Sequence, residues 1–200
     1  MISQCLLVFA IAYLIGSISF AVLISKLYGI DILHVGSGNP GSTNVKRCVG
    51  KAAGNIVFLL DFLKGFTVTY LPIGLNPLHV MSLPLAYIAL IGSILGHCHS
   101  IFLKFRGGKG VATTMGGLAA LMPGALLIGG VIWSIVFRAS RFVSLASLCF
   151  AFSLPLSAYF FSYPKETLIV SWILMVFIFI RHHANIKKLL NGTEERFTSA

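Results

Sequence analysis

The chain has 200 residues, of which 57% are hydrophobic and 10% charged, with 15 Lys+Arg against 5 Asp+Glu and a net charge of +10. A soluble domain carries about 25% charged residues, and at a mean hydropathy of +0.93 too few are present to wet a surface. Disorder, collagen, a coiled coil and a soluble nucleic-acid binder are excluded, which leaves an integral membrane protein.

Met1 to Ser25 carries no charged side chain, enough for a span of about 20 residues. No basic stretch precedes it, so it reads as a retained helix and not as a signal peptide. Ala52 to Leu75 is the second span, and its Asp61 and Lys64 lie three apart, where they can pair. Asn76-Pro77 reads as a turn, with His79 nearby as a structural residue, and Pro77 to Gly96 is the third span. Val111 to Phe137 is uncharged but holds Pro123-Gly124. Phe142 to Pro164 and Thr167 to Ile180 follow.

Kept as one helix, the stretch from Val111 gives six spans with both chain ends on one side. Divided at Pro123, it gives seven. With seven spans and the N-terminus outside, every Lys and Arg except Lys64 and Lys165 is cytoplasmic, as the positive-inside rule demands. The expected fold is therefore all-α, a polytopic membrane protein with seven transmembrane helices and a cytoplasmic C-terminus. Residues 1–200 are read as a single membrane-embedded domain. Val111 to Met122 is too short to cross alone and reads as a half-helix.

Three polar islands then share the cytoplasmic side. The first runs from Val35 to Arg47 (VGSGNPGSTNVKR), the second from Gly96 through Lys109 to Thr113, and the third from Arg181 to Lys188 (RHHANIKK). Glycine lets backbone amides approach an anion, hydroxyls and Asn donate hydrogen bonds, and Arg or Lys supplies charge. Phosphate binding is accordingly expected from Gly36, Ser37, Gly38, Asn39, Thr43, Asn44 and Arg47 in the first island. The second contributes Gly107, Gly108 and Lys109, which lead into the half-helix and its N-terminus.

Competing readings are weaker. Gly36-x-Gly38-x-x-Gly41 follows a membrane helix with no βαβ unit around it, and Lys109 lacks the Walker spacing. His97, Cys98 and His99 are neighbours without acidic partners, so no metal is expected, and no cofactor is implied. The other cysteines, Cys5, Cys48 and Cys149, read as isolated thiols. Asn191-Gly192-Thr193 is a glycosylation sequon on the wrong side of the membrane. No island before the tail holds a carboxylate, so paired-carboxylate chemistry has no candidates. What remains is anion chemistry, with His182 and Asn185 three apart on one helix face.

On these islands the sequence resembles the bacterial membrane glycerol-3-phosphate acyltransferase family that takes its acyl group from acyl phosphate, the PlsY family. That family shows GSGNxGATNxxR, GH followed by FxGGKGVAT, and HRxNIxRLxxGxE. The likeness extends to Leu60–Gly65 and to Ser144–Ser147. Departures are Ser42 for Ala, Ser100 for a common Pro, His183 for Arg and Ala184 for a frequent Glu. The resemblance implies seven helices in the bacterial inner membrane, an active site facing the cytoplasm, and acyl phosphate and glycerol 3-phosphate as substrates beside membrane lipid. The implied products are lysophosphatidic acid and phosphate, in the first acylation of phospholipid synthesis.

The resemblance also implies Ser37, Arg47, Lys109, Ser147, His182 and Asn185 as the catalytic set. Of these, Arg47 and Lys109 suit phosphate charge, and His182 and Asn185 suit orientation of glycerol hydroxyls. His182 fits a general base, and a substrate phosphate oxygen fits that role equally. No covalent nucleophile stands out, so direct transfer is expected. A phosphate or lipid transporter would need a polar path across the membrane, and only Asp61 and Lys64 lie inside a span. A non-catalytic scaffold leaves the three islands unexplained.

Overall fold

The computed structural model describes residues 2–75 and 82–197. The expected turn at Asn76-Pro77, the start of the third span, His79 and both chain ends lie outside the described residues. Ten α-helices and one short 3₁₀ turn account for the described chain, and no strand occurs among its residues. A lipid core leaves no water to satisfy backbone N–H and C=O groups, so apolar segments of this length close their hydrogen bonds within helices.

The chain divides into two compact units, the first ending at Leu121 and the second beginning at Met122. The first holds α1 (Ile2–Ser17), α2 (Phe20–Leu27), α3 (Ser42–Cys48), α4 (Lys51–Leu75), α5 (Ser82–Cys98), the 3₁₀ turn Ile101–Leu103 and α6 (Val111–Leu121). The second holds α7 (Pro123–Ser140), α8 (Val143–Phe160), α9 (Lys165–Arg181) and α10 (His183–Leu190). The division at Pro123 falls where the sequence places it. Met122 leaves the helix, and Pro123 opens α7 at a position where its missing N–H is no loss.

Four of these stretches are long and apolar enough to cross a membrane: Ile2–Leu27, α4, α7 and α8. A fifth is added if α9 and α10, bent by 62°, are counted together, while α5 and α6 are apolar but shorter.

In the first unit α1 packs on α5, and α4 on both α5 and α6. Small residues bring the backbones together, since lipid gives apolar side chains no reason of their own to leave it. A Cβ on Gly96 would meet the Tyr13 carbonyl, and one on Gly16 the Ser93 carbonyl. Between α4 and α6 the contact is reciprocal, with Gly65 against the Thr113 carbonyl and Gly116 against the Phe62 carbonyl.

The first span is interrupted at Ile18-Ser19, and the break leaves carbonyls without an intrahelical partner. Ser100 Oγ donates to the Ser17 carbonyl at 2.6 Å, and Lys64 Nζ to the Ile18 carbonyl at 2.9 Å. In the second unit α8 is the inner helix, packed by α7, α9 and α10. Phe150, Ala151 and Leu154 on it are fully enclosed.

Candidate active site

The first island begins in a tight loop. Asp31 accepts hydrogen bonds from the His34 ring at 2.7 Å and the Leu33 N–H at 3.2 Å. These two contacts, the imidazole first, hold its carboxyl below the usual carboxylate range. Gly36 and Gly38 both take left-handed backbone angles, φ +58° and +67°, which only glycine adopts without strain.

The organiser of this loop is Asn44, 1% exposed on α3. Its Nδ2 donates to the carbonyls of Ile32 (3.3 Å) and Val35 (3.0 Å), and its Oδ1 accepts the Ser37 N–H at 3.0 Å. A Cβ on Gly36 would strike that same amide. Expected as a phosphate donor, Asn44 has its amide committed to the backbone, so it shapes the loop from inside. Several amides expected to face an anion are likewise engaged within the loop. Ser37 N–H binds Asn44, and Gly38 N–H the Val35 carbonyl at 3.0 Å. Asn39 N–H reaches Ser37 Oγ at 3.4 Å. Ser37 and Arg47 are exposed on this island, and Thr43 is half-buried. Lys46 packs its stem on Gly54 of α4, and burial pushes its ammonium below the ordinary lysine value.

The second island is seated on the end of α5. Tyr13 Oη donates to the His99 carbonyl at 2.7 Å, and Ser100 and Arg106 pair backbone to backbone. Lys104 and Phe105 both have positive φ, 53° and 61°, which turns the chain sharply back towards α5. Gly108 N–H then donates to the His97 carbonyl at 3.1 Å. A Cβ on Gly107 would hit that carbonyl, and one on Gly108 would hit His97 Nε2. The two glycines therefore lie flat on His97, and Lys109, half-buried, follows at the start of α6. Leu103 of this island joins the same apolar cluster as Ile32, Val45 and Val57, so the first and second islands share one floor.

In the second unit His182 is 2% exposed. It ends α9 and caps α10, where the chain bends by 62°. The sequence reading set His182 and Asn185 on one continuous helix face. The bend removes that face, because His182 leaves helical geometry and turns its ring back onto α9. His182 Nδ1 lies 2.8 Å from the Ile178 carbonyl. A carbonyl only accepts, so Nδ1 carries the proton, and in the neutral ring Nε2 is the acceptor nitrogen.

Ser147 is a buried α8 residue whose Oγ donates to the Val143 carbonyl at 2.8 Å and accepts from Trp133 Nε1 at 3.3 Å. A hydroxyl with its proton on a peptide carbonyl is poorly placed to act as a nucleophile. One residue passed over at the sequence level belongs here. Glu194 Oε1 accepts from Asn185 Nδ2 at 2.8 Å and from Ser144 Oγ at 2.5 Å. The tail reached by Glu194 folds back on the second unit, with Phe197 N–H on the Arg141 carbonyl at 2.8 Å. The signal in the sequence is the closing Glu of the third motif, HRxNIxRLxxGxE, which falls on Glu194.

The first unit thus carries Ser37 and Lys109 on loops and Arg47 on α3, the two islands sharing one floor, and the second carries Ser147 on α8, His182 at the end of α9 and Asn185 on α10. The glycerol-3-phosphate acyltransferase family profile matches residues 6–192. A glycerol-3-phosphate acyltransferase of Aquifex aeolicus is 42% identical over 186 residues, covering 93% of this chain and 95% of the relative. One from Endomicrobium trichonymphae is 43% identical over 187 residues, covering 93% and 92%. Crystal structures of PlsY, an integral membrane glycerol 3-phosphate acyltransferase, superpose with TM-scores of 0.90 and 0.89 for its glycerol 3-phosphate and lysophosphatidic acid forms. Identity to them is 39% and 38%, covering 97% and 98% of this chain and 96% of each. With a helical membrane architecture and this likeness along nearly its whole length, the chain belongs to the PlsY family of glycerol-3-phosphate acyltransferases, integral membrane enzymes of phospholipid synthesis.

Proposed function

We propose that this chain transfers a fatty acyl group from acyl phosphate to the 1-hydroxyl of sn-glycerol 3-phosphate. The hydroxyl oxygen bonds to the acyl carbon as its proton passes to His182 Nε2 or to a substrate phosphate oxygen, the bond from that carbon to the phosphate oxygen breaks, and lysophosphatidic acid and phosphate leave. The observation that carries the reading is the likeness to a PlsY with glycerol 3-phosphate in one form and lysophosphatidic acid in the other. The donor rests on the chain's own chemistry, whose cationic glycine loops suit a phosphate group.

In this reading Arg47 and Lys109 hold phosphate charge, assisted by Ser37. Asn185 and His182 orient the glycerol hydroxyls, and Glu194 and the Ile178 carbonyl fix the orientation of these two side chains. Such positioning lowers the barrier by holding the attacking oxygen near the acyl carbon. No acyl-enzyme is required, which agrees with the committed Ser147 hydroxyl. The purified protein with labelled glycerol 3-phosphate is expected to form lysophosphatidate from acyl phosphate and not from acyl-CoA or acyl-carrier protein. Product from either thioester, with none from acyl phosphate, overturns the donor assignment.

We also propose that residues 1–200 act as one acyltransferase domain with seven spans in a bacterial inner membrane. Its N-terminus lies outside, and its C-terminus and active site face the cytoplasm. The asymmetry of Lys and Arg supports this orientation. Reporter fusions at Met1 and Ala200 are expected to report opposite sides of the membrane, and a same-side result contradicts it.

A further inference from the structure

The proposed chemistry leaves a buried ionic cluster of the described residues without a role. Asp61 and Lys64 of α4 and His97 of α5 are 2%, 5% and 9% exposed. Lys64 Nζ lies 2.6 Å from Asp61 Oδ1, and the same oxygen lies 3.5 Å from His97 Nδ1. Lys64 is held in turn by the Ile18 carbonyl and by the face of the Phe20 ring, 5.5 Å from its centroid. Burying charges in a membrane protein is expensive, and a cluster of this kind marks a function more often than a need for stability.

The far side of the His97 ring shows what the cluster supports. Gly108 packs against Nε2 so closely that a Cβ has no room, and Gly108 N–H is bonded to the His97 carbonyl. The Gly108 backbone thus rests on the ring, and the ring's other nitrogen faces the Asp61 carboxylate. Lys109 follows directly. We propose that Asp61 is a positioning residue for the Lys109 loop: anchored by Lys64, it aligns His97, and His97 fixes the backbone that aims Lys109 at a substrate phosphate. The proposal rests on the reading of Lys109 as a phosphate ligand. A displacement of about 1 Å in such a support is enough to loosen a site whose ligating residues are all present.

Three variants test it. Asp61→Leu with Lys64→Met removes both charges and the acceptor facing His97, while approximating the shapes. Asp61→Asn with Lys64→Met removes the charges but keeps an oxygen acceptor. Lys109→Ala identifies which substrate the loop holds, the donor or the acceptor, by which KM it raises. The Leu/Met pair is expected to raise that same KM about tenfold with kcat within about threefold. The Asn/Met pair is expected to stay within about threefold of wild type in both constants. In the Lys109→Ala background the change from Asn/Met to Leu/Met is expected to lose its effect, as coupled positions do.

A general packing defect would instead lower thermal stability and act equally with or without Lys109. A wild-type KM for Leu/Met, equal losses in the two pairs, or an undiminished effect beside Lys109→Ala overturns the positioning role while leaving the phosphate loop standing. An unchanged KM for both substrates in Lys109→Ala itself removes the phosphate loop, and the proposal with it. Should Leu/Met not fold, His97→Phe keeps a flat ring beneath Gly108 without the ring nitrogen that faces Asp61. It is expected to raise the same KM about tenfold, and a wild-type value overturns the proposal.

Discussion

Replacing Lys109 or Arg47 with alanine is expected to lower kcat/KM by at least about 10²-fold. Charged hydrogen bonds to developing or resident phosphate charge contribute roughly 2–4 kcal/mol in a site closed around substrate, and each 1.4 kcal/mol is tenfold. Lys109 is half-buried on a turn pinned to His97, so little ordering remains to be done when substrate arrives. Arg47 is exposed near the C-terminal end of the seven-residue α3, whose other face is buried through Asn44 and Val45. Its guanidinium therefore extends from a fixed base. Lys187→Ala, on the exposed face of α10, is expected to change the rate by less than about threefold. Equal losses at Lys109, Arg47 and Lys187 in a steady-state assay would show a diffuse electrostatic effect and no defined site.

The second large effect is expected from packing. Gly116→Val places a branched side chain where even a Cβ collides with the Phe62 carbonyl and lies 2.8 Å from the Phe66 nitrogen. Both obstacles belong to the α4 backbone, so no side chain can swing away, and α4 and α6 must separate. Overpacking of well-fitted interiors costs about 1–3 kcal/mol, and more when backbone must move. The expected outcome is a sharply reduced yield of folded protein and a thermal midpoint in detergent lowered by several degrees. Gly130→Ala, where a Cβ meets nothing within 4 Å, is the matched control and is expected to melt like the wild type. Wild-type melting of Gly116→Val would mean that the close approach of α4 and α6 is not maintained in the protein.

Much of this architecture is written in residue type and order. Apolar runs without charge locate the helices, and Pro123 divides α6 from α7 because a helix cannot continue through it without loss. Asp61 and Lys64 at a spacing of three announce their own pairing. What the sequence could not convey is which polar groups look inward. Asn44 and the amides of Ser37 and Gly38 have the composition of a phosphate cradle, yet they bind one another's backbone, and only geometry distinguishes the two uses. The bend at His182 was hidden for a similar reason. Nothing in Arg181-His182-His183 forbids a helix; the turn shows only in the geometry, at the residue whose ring lies on the Ile178 carbonyl. The third motif ends on Glu194, but its partners are hidden because they depend on the tail reversing after Gly192, which brings it beside Ser144, 50 positions away in the chain.

The interruption of the first span at Ile18-Ser19 changes what that span is. A plain anchor could be exchanged for any apolar helix of equal length. Here the two loosened carbonyls act as sockets, one receiving the Ser100 hydroxyl from the second loop and the other the Lys64 ammonium. A continuous helix would draw both carbonyls back into its own ladder and empty the sockets. Chimaeras carrying an uninterrupted first helix should therefore insert into the membrane normally, yet leave the loop around Lys109 without its Ser100 mooring.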